Sequence, residues 1–455
     1  MKHNRKWLLI ALFWLLLWQI AAMAVSSKLL LPSPVDTVVA LAGLLCDGGF
    51  YIDALMTICR CIVAIVLAIT CGFGLALAAY KNKLVRDILS LPVSFLKAVP
   101  VMAIAIYMIL LMSAGNVPIL VCWAMCFPIA YTNLLTGLDS IDSGLIEMAN
   151  MYKITGSRRT KLIDAPAIIP YFSSAMSLIA GMSWKAIVTA EVLSIPQFSL
   201  GYELMNAKYY LNTDVLFAYV LVIIAISVIF ENGVKKLLAK LTAREYEYSK
   251  VEKMRIRSIA KYNEHNAARV ELQHICKSFD EKVVLNDFSM TLEPNSVTAL
   301  MGASGSGKTT IARIISGLET ADSGNVSVDT DRIAYLFQED RLIPWLNIYD
   351  NLAIIRPDSE SGLISSLLNA VGLNEVAWKL PSELSGGMNY RAAMARAFLY
   401  DAPLLIADEP FRGLDENTRN EVVEKLWKPG VVGKTVLMIT HSNEDAVLAK
   451  KTVRI

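Results

Sequence analysis

A chain of 455 residues that is 55% hydrophobic and 18% charged is long enough for about two domains and too apolar to be wholly water-soluble. Its formal net charge of +2 supplies no concentrated basic surface, which excludes an electrostatic nucleic-acid binder. Most of the seven cysteines lie inside apolar runs and none shows the paired spacing of a zinc site, so they read as small packing residues.

Apolar stretches run from Trp7 to Val25, Ile62 to Tyr80, Ala98 to Met112, Val117 to Leu135, Ile168 to Val192 and Val215 to Phe230. At about 20 residues per span these predict about six membrane helices, the third extended backwards towards Leu89. Basic loops recur on alternate sides: Lys2, Arg5 and Lys6; Lys81, Lys83 and Arg86; Lys153, Arg158, Arg159 and Lys161; Lys235, Lys236, Lys240 and Arg244. The positive-inside rule then puts both termini in the cytoplasm, with membrane lipid around the spans. The first stretch, ending near Ala22-Met23-Ala24, also fits a secretory signal, but it is long for one and is expected to stay as an anchor. Lys185 and Glu191, in or beside the fifth stretch, face either a substrate pathway or a structural partner.

The membrane part is expected over 1–240, including a basic cytoplasmic loop at 137–166. A charged linker over 241–269 follows, and from 270 to 455 short β-branched strands alternate with amphipathic helices, the order of a parallel α/β sheet. Within this part Gly302-Ala303-Ser304-Gly305-Ser306-Gly307-Lys308-Thr309 follows a strand and precedes a helix that opens with Thr310. That is the setting of a phosphate-binding loop. Its glycines let backbone N–H groups face phosphate, Lys308 reaches the terminal phosphates and the Thr309 hydroxyl suits Mg²⁺. Leu404 to Ala407 is an apolar strand ending in Asp408 and Glu409. Asp408 suits Mg²⁺, and Glu409 suits polarising an attacking water.

Ser385-Gly386-Gly387, preceded by Leu384 and lying between these two motifs, resembles the signature of ATP-binding cassette (ABC) proteins. The resemblance covers Val270 to Ile455 and implies an α/β ATPase that binds ATP and Mg²⁺. It makes Gln338 the Q-loop residue on Mg²⁺ and the attacking water, His441 the H-loop residue on the γ-phosphate, Asp415 the D-loop residue and Phe279 the aromatic against adenine. Ser385, Gly386 and Gly387 would act on the γ-phosphate of a neighbouring subunit, so one chain cannot complete a site and the resemblance implies a homodimer. Met388 stands where Gln is commoner, and Arg412-Gly413 where Ser-Ala is usual. The chain ends soon after His441, and no appended regulatory domain is expected.

In the membrane part, Glu147-Met148-Ala149 with Pro166 and Pro170 resembles the coupling motif of bacterial importers; Lys153 stands at the family's glycine position, with Gly156 three residues later. Leu31 to Pro34, Lys97 to Pro100 and Phe337 to Trp345 resemble the nitrate, sulfonate and taurine uptake class, in which permease and ATPase are usually separate chains. That resemblance implies a multi-pass protein of the bacterial inner membrane that imports a small anionic solute. The solute would come from a separate extracytoplasmic binding protein. The rival reading is a half-size exporter or flippase, whose long cytoplasmic helical extensions the short loops here do not match. A signalling complex would need a large extracellular domain, for which the outer loops are too small.

Overall fold

Long apolar helices dominate the first half and alternating strands and helices the second, as the composition requires. The computed structural model describes residues 2–25, 27, 29–246, 267–280, 282–356 and 361–455. It divides into two units, one of Met1–Ser140 with Ala167–Ala243, the other of Ile141–Pro166 with Arg244–Ile455. The expected linker lies mostly outside the described residues.

In the first unit, four helices are long and apolar enough to cross a membrane: Gly48–Lys81, Val117–Asp139, Gly156–Ser194 and Thr213–Lys240. A fifth span arises if the bent pair Lys83–Ala98 and Val101–Leu111 counts as one. Among the described residues the expected six spans are therefore four or five. The first apolar stretch forms the helix Lys2–Val25, and a shorter apolar helix, Pro34–Cys46, follows, which Ser33 caps by accepting the Asp36 N–H at 3.1 Å. The third stretch does not run straight back to Leu89. Pro100 forces Val99 into an extended conformation, and the chain bends by 105° there.

Packing between Gly48–Lys81 and Val117–Asp139 depends on a glycine, because a Cβ at Gly72 would lie 2.7 Å from the Ala130 Cβ and 3.1 Å from the Tyr131 nitrogen. Small residues let helices approach closely in lipid, where packing rather than water drives association. Gly72→Val should push the two helices apart and lower the yield of monodisperse, detergent-extracted protein severalfold; an unchanged size-exclusion profile would show that the contact is dispensable.

Glu191 is fully buried and its carboxylate is held by three hydrogen bonds. It accepts from Thr57 Oγ1 at 2.9 Å, Arg60 Nη1 at 3.0 Å and the Gly201 N–H at 3.3 Å. Arg60 also donates to the carbonyls of Gln197 and Phe198 at 3.1 and 3.0 Å. This buried pair ties the segment after Ser194 to the helix Gly48–Lys81, as a structural partner would. Lys185 is exposed, on another face of the helix that carries Glu191.

The second unit is built on two sheets. Strands β1 (Val270–Phe279), β2 (Lys282–Leu292) and β4 (Ser323–Val328) form an antiparallel sheet in the order β2-β1-β4. Strands β3 (Val297–Met301), β5 (Ile333–Leu336), β6 (Leu404–Asp408), β7 (Thr435–Ile439) and β8 (Lys451–Arg454) form a parallel sheet in the order β5-β6-β7-β3-β8. Strands β5, β6 and β7 of this sheet are buried along their whole length, as expected of a parallel sheet covered on both faces.

Asp350, in the first turn of the helix Ile348–Ala353, is 8% exposed, and burial pushes its carboxyl up to about 6 despite a hydrogen bond from Asn347. A carboxyl raised above its unfolded value costs stability at pH values above the folded pKa, and the cost vanishes as pH falls from about 6 towards 4. Asp350→Asn should therefore stabilise the chain by about 2 kcal/mol at pH 7.5. Melting followed by tryptophan fluorescence should rise by a few degrees at pH 7.5 and not at pH 4.5; a rise of equal size at both would rule out the ionised carboxyl as the cause.

Candidate functional site

Four adjacent strands deliver their following residues to one edge of the parallel sheet, the edge where open α/β sheets place ligands. Gln338 follows β5, Asp408 and Glu409 end β6, His441 follows β7, and the phosphate-binding loop follows β3. These groups converge on a cleft of about 350 Å³, together with Phe279 from the end of β1. Gly302, Ser304, Gly305, Gly307, Lys308, Thr309 and Thr310 form its floor. Gly305 and Gly307 take φ values of +82° and +97°, which a side chain would strain. Ala303 contributes only its carbonyl, which accepts from Lys308 Nζ at 2.7 Å, while the Gly302 carbonyl accepts from the same ammonium at 2.9 Å. Ser306 is not part of the lining.

Thr309 Oγ1 donates to Asp408 Oδ2 at 3.1 Å, so a hydroxyl and a carboxylate lie side by side as hard oxygen donors of the kind Mg²⁺ takes. Burial pushes the Asp408 carboxyl up to about 6, with Glu409 adding to the shift and the Thr309 hydrogen bond and Lys308 opposing it. A buried carboxylate in need of a countercharge is the environment a cation would relieve, so the residues fit the metal that the resemblance implies.

Glu409 adopts a left-handed φ of +51°, a strained conformation of the kind that collects at functional sites. Its N–H donates to the Ile439 carbonyl at 2.9 Å, and Tyr390 Oη donates to the carbonyls of Asp408 and Glu409 at 2.8 and 3.1 Å. The Glu409 side chain lies 3.1 Å from His441 Nδ1 and 3.4 Å from Gln338 Nε2, and Arg412 stands 3.6 Å away. Glu409 thus touches both of the other residues expected to carry hydrolysis, Gln338 and His441. Arg412 was read only as a departure from the family pattern, and no local signal announces its pairing with Glu409.

The signature lies apart from this cleft. Gly386 and Gly387 line a neighbouring hollow of about 430 Å³ with Gln338, Tyr390, Arg412 and Gly413. Ser385 caps the helix Gly386–Tyr400 and accepts from the Met388 N–H at 3.4 Å. Asp415 caps Glu416–Val422, accepting from the Thr418 N–H and hydroxyl at 3.0 and 2.7 Å. Within one chain, Ser385, Gly386, Gly387 and Asp415 do not reach the phosphate loop's cleft.

Residues Ile141–Pro166 belong to the same unit as the cleft. Asp142 caps the helix Ser143–Met151, which presents Glu147 to two guanidinium groups. Arg313 donates to both carboxylate oxygens at 3.0 and 2.7 Å, and Arg341 donates to Oε2 at 2.8 Å. The Arg313 hydrogen bonds, with Arg341 behind them, hold the Glu147 carboxyl below the usual carboxylate range. Arg313 sits on the helix Lys308–Ile315 that the phosphate loop opens, and Arg341 lies three residues after Gln338. Glu147 therefore touches both the phosphate-loop helix and the segment carrying Gln338.

Further anchors surround this clamp: Tyr152 Oη donates to the Tyr335 carbonyl at 3.0 Å, Trp345 Nε1 to the Leu162 carbonyl at 2.8 Å, and Arg158 to the Ile354 carbonyl. Ala149 is fully buried, where a larger side chain has no room. Lys153 takes a φ of +55° and Gly156 one of +57°. Lys153 thus adopts the left-handed conformation for which glycine is better suited. Sequence reasoning singled out Glu147, Ala149 and Gly156 but neither Arg313 nor Arg341.

Two family models match the chain: "binding-protein-dependent transport system inner membrane component" over residues 64–242 and "ABC transporter" over residues 285–412. Among curated proteins, the chain is similar to an aliphatic sulfonates import ATP-binding protein of Cupriavidus necator, 36% identical over 200 residues, 41% of this chain and 65% of that one. A protein of the same description from Paracoccus denitrificans is 37% identical over 183 residues, 39% of this chain and 75% of its own. Another, from Delftia acidovorans, is 38% identical over 196 residues, 40% of this chain and 77% of its own. The chain spans about two thirds of the length of the first of these relatives.

Proposed function

Because the chain belongs to the ABC transporter family and carries a permease segment ahead of its ATPase, we propose that it hydrolyses ATP to drive uptake of a small anionic solute across a bacterial inner membrane. The observation that carries this reading is the Glu147 clamp, which joins a segment flanked by membrane helices to the phosphate-loop helix. The binding-protein-dependent permease match supports import over the exporter weighed as its rival. The sulfonate import named for the relatives supports an anionic solute, and the binding-protein-dependent permease match supports its delivery by a separate binding protein.

In this reading the loop N–H groups and Lys308 hold the phosphates, and Phe279 takes the adenine. Thr309, Asp408 and Gln338 would hold Mg²⁺, which supplies charge neutralisation on the phosphates. Glu409 orients the attacking water and accepts its proton, while His441 steadies Glu409 and contacts the γ-phosphate. The separation of Ser385–Gly387 from the cleft supports a two-fold dimer in which each signature closes the partner's nucleotide site. Both termini and the ATPase unit then lie in the cytoplasm.

The test is uptake of labelled sulfonates, taurine and nitrate into vesicles from cells that express the chain, with and without the binding protein encoded beside it. Uptake that requires ATP, the binding protein and Glu409 supports the reading and identifies the solute. Efflux, or solute-stimulated ATPase activity without any binding protein, would overturn import.

A further inference from the structure

The helix Lys83–Ala98 carries three chemically distinct faces. At 100° per residue, Leu84, Ile88, Leu91 and Phe95 fall within an arc of about 60°, and they are 65%, 62%, 79% and 65% exposed. A second arc, with Val85, Leu89, Val93 and Leu96, turns towards the protein: Val93 is 4% exposed and Leu96 packs against the cluster around Ile104. The third arc holds Lys83, Arg86, Ser90 and Lys97, all exposed, and Lys81 precedes the helix. Asp87 is the only acid among these residues.

Two features fix how this helix lies. Its axis turns 105° from that of Val101–Leu111, so the two helices cannot both stand along the bilayer normal. Arg86 pairs with Asp139, the last residue of the spanning helix Val117–Asp139, which sets the depth at the end of a span. We propose that Lys83–Ala98 is an in-plane interfacial helix of the cytoplasmic leaflet. Leu84, Ile88, Leu91 and Phe95 dip into the acyl boundary, and Lys81, Lys83 and Lys97 engage anionic lipid headgroups. An apolar stripe flanked by lysines is the pattern of such helices, and the lysine stems extend along the boundary with their ammonium groups in the headgroup layer.

A second copy of the chain is the competing occupant of the stripe. Helix pairs in lipid associate through small residues that let backbones approach, whereas this stripe is made of large branched and aromatic side chains, which favours lipid. The assignment to the cytoplasmic leaflet rests on the topology in the proposed function; the in-plane placement does not.

The experiment places the photoreactive amino acid benzoylphenylalanine at Leu91, and separately at the buried Val93, in the full chain reconstituted in vesicles of phosphatidylcholine with or without phosphatidylglycerol. Position 91 should yield lipid adducts by mass spectrometry, about threefold more with the anionic lipid, and position 93 only links within the chain. Lys81→Gln, Lys83→Gln and Lys97→Gln together should remove the anionic preference and keep the adducts. A covalent dimer from position 91 would assign the stripe to a second copy, and the absence of both products would assign it to water; either overturns the proposal. Equal yields in the two lipids would overturn the headgroup contact. Labelling of Lys83 by an impermeant amine reagent, applied to spheroplasts, would overturn the cytoplasmic topology while leaving the in-plane helix intact.

Discussion

Glu409→Gln should abolish ATP turnover, lowering the rate by about 10²- to 10⁴-fold, the range over which a positioned general base contributes. The glutamine keeps the shape and the hydrogen-bonding reach towards Gln338 and His441 but cannot take a proton from water. ATP should still bind, because Lys308, Thr309 and the loop that hold it are untouched, and the variant should accumulate ATP-bound protein. Phosphate release and bound nucleotide measured on the same sample decide the matter. Turnover within about threefold of the parent would remove Glu409 from the role of base, and loss of ATP binding would show that the substitution had damaged the fold instead.

Glu147→Ala is expected to separate the two activities of the chain. It removes the carboxylate that Arg313 and Arg341 share, leaving Arg341 only the longer contact with Glu339 at 3.8 Å, and both arginines are largely shielded, with side chains 28% and 15% exposed. Removing one partner of such a group costs more than the group contributes, because like charges are left desolvated. Solute uptake should fall about tenfold or more, since a coupling change of 1.4 kcal/mol already gives that factor, while ATP binding persists. Exchanging charges, with Glu147→Arg and Arg313→Glu together, should recover part of the uptake that either change alone removes. Uptake unchanged in Glu147→Ala would sever the clamp from transport.

The phosphate loop and the strand ending in Asp408 and Glu409 were readable in the sequence because their chemistry is local. One run of glycines and one strand end suffice to specify each, and the strand order then brings them to the same edge. Gln338 and His441 carry no such local pattern and were found only through the ordered resemblance. Arg313 and Arg341 were missed because their partner is 166 and 194 residues away, and nothing in a stretch of helix announces an ion pair at that separation.

The corner inside the third apolar stretch was not legible for a related reason. The stretch from Lys83 to Leu111 is apolar enough to be read as one span extended backwards, and the proline that splits it was seen as part of a motif rather than as a corner. An apolar stripe repeating every three to four residues has the same average hydropathy whether its helix stands upright or lies flat. Composition alone therefore cannot separate the two, and the angle at Val99 and Pro100 shows that the stretch is not one straight span.

The Glu147 clamp forms between segments of a single polypeptide. When permease and ATPase are separate molecules, such a contact is a binding equilibrium, and its occupancy falls on dilution or when one partner is made in excess. Here the two sides cannot drift apart, so a broken clamp re-forms by a first-order step at an effective concentration set by the chain itself. The joint can then tolerate a weaker ion pair than a two-chain assembly could, and the ratio of ATPase segment to permease segment is one to one however much protein the cell makes.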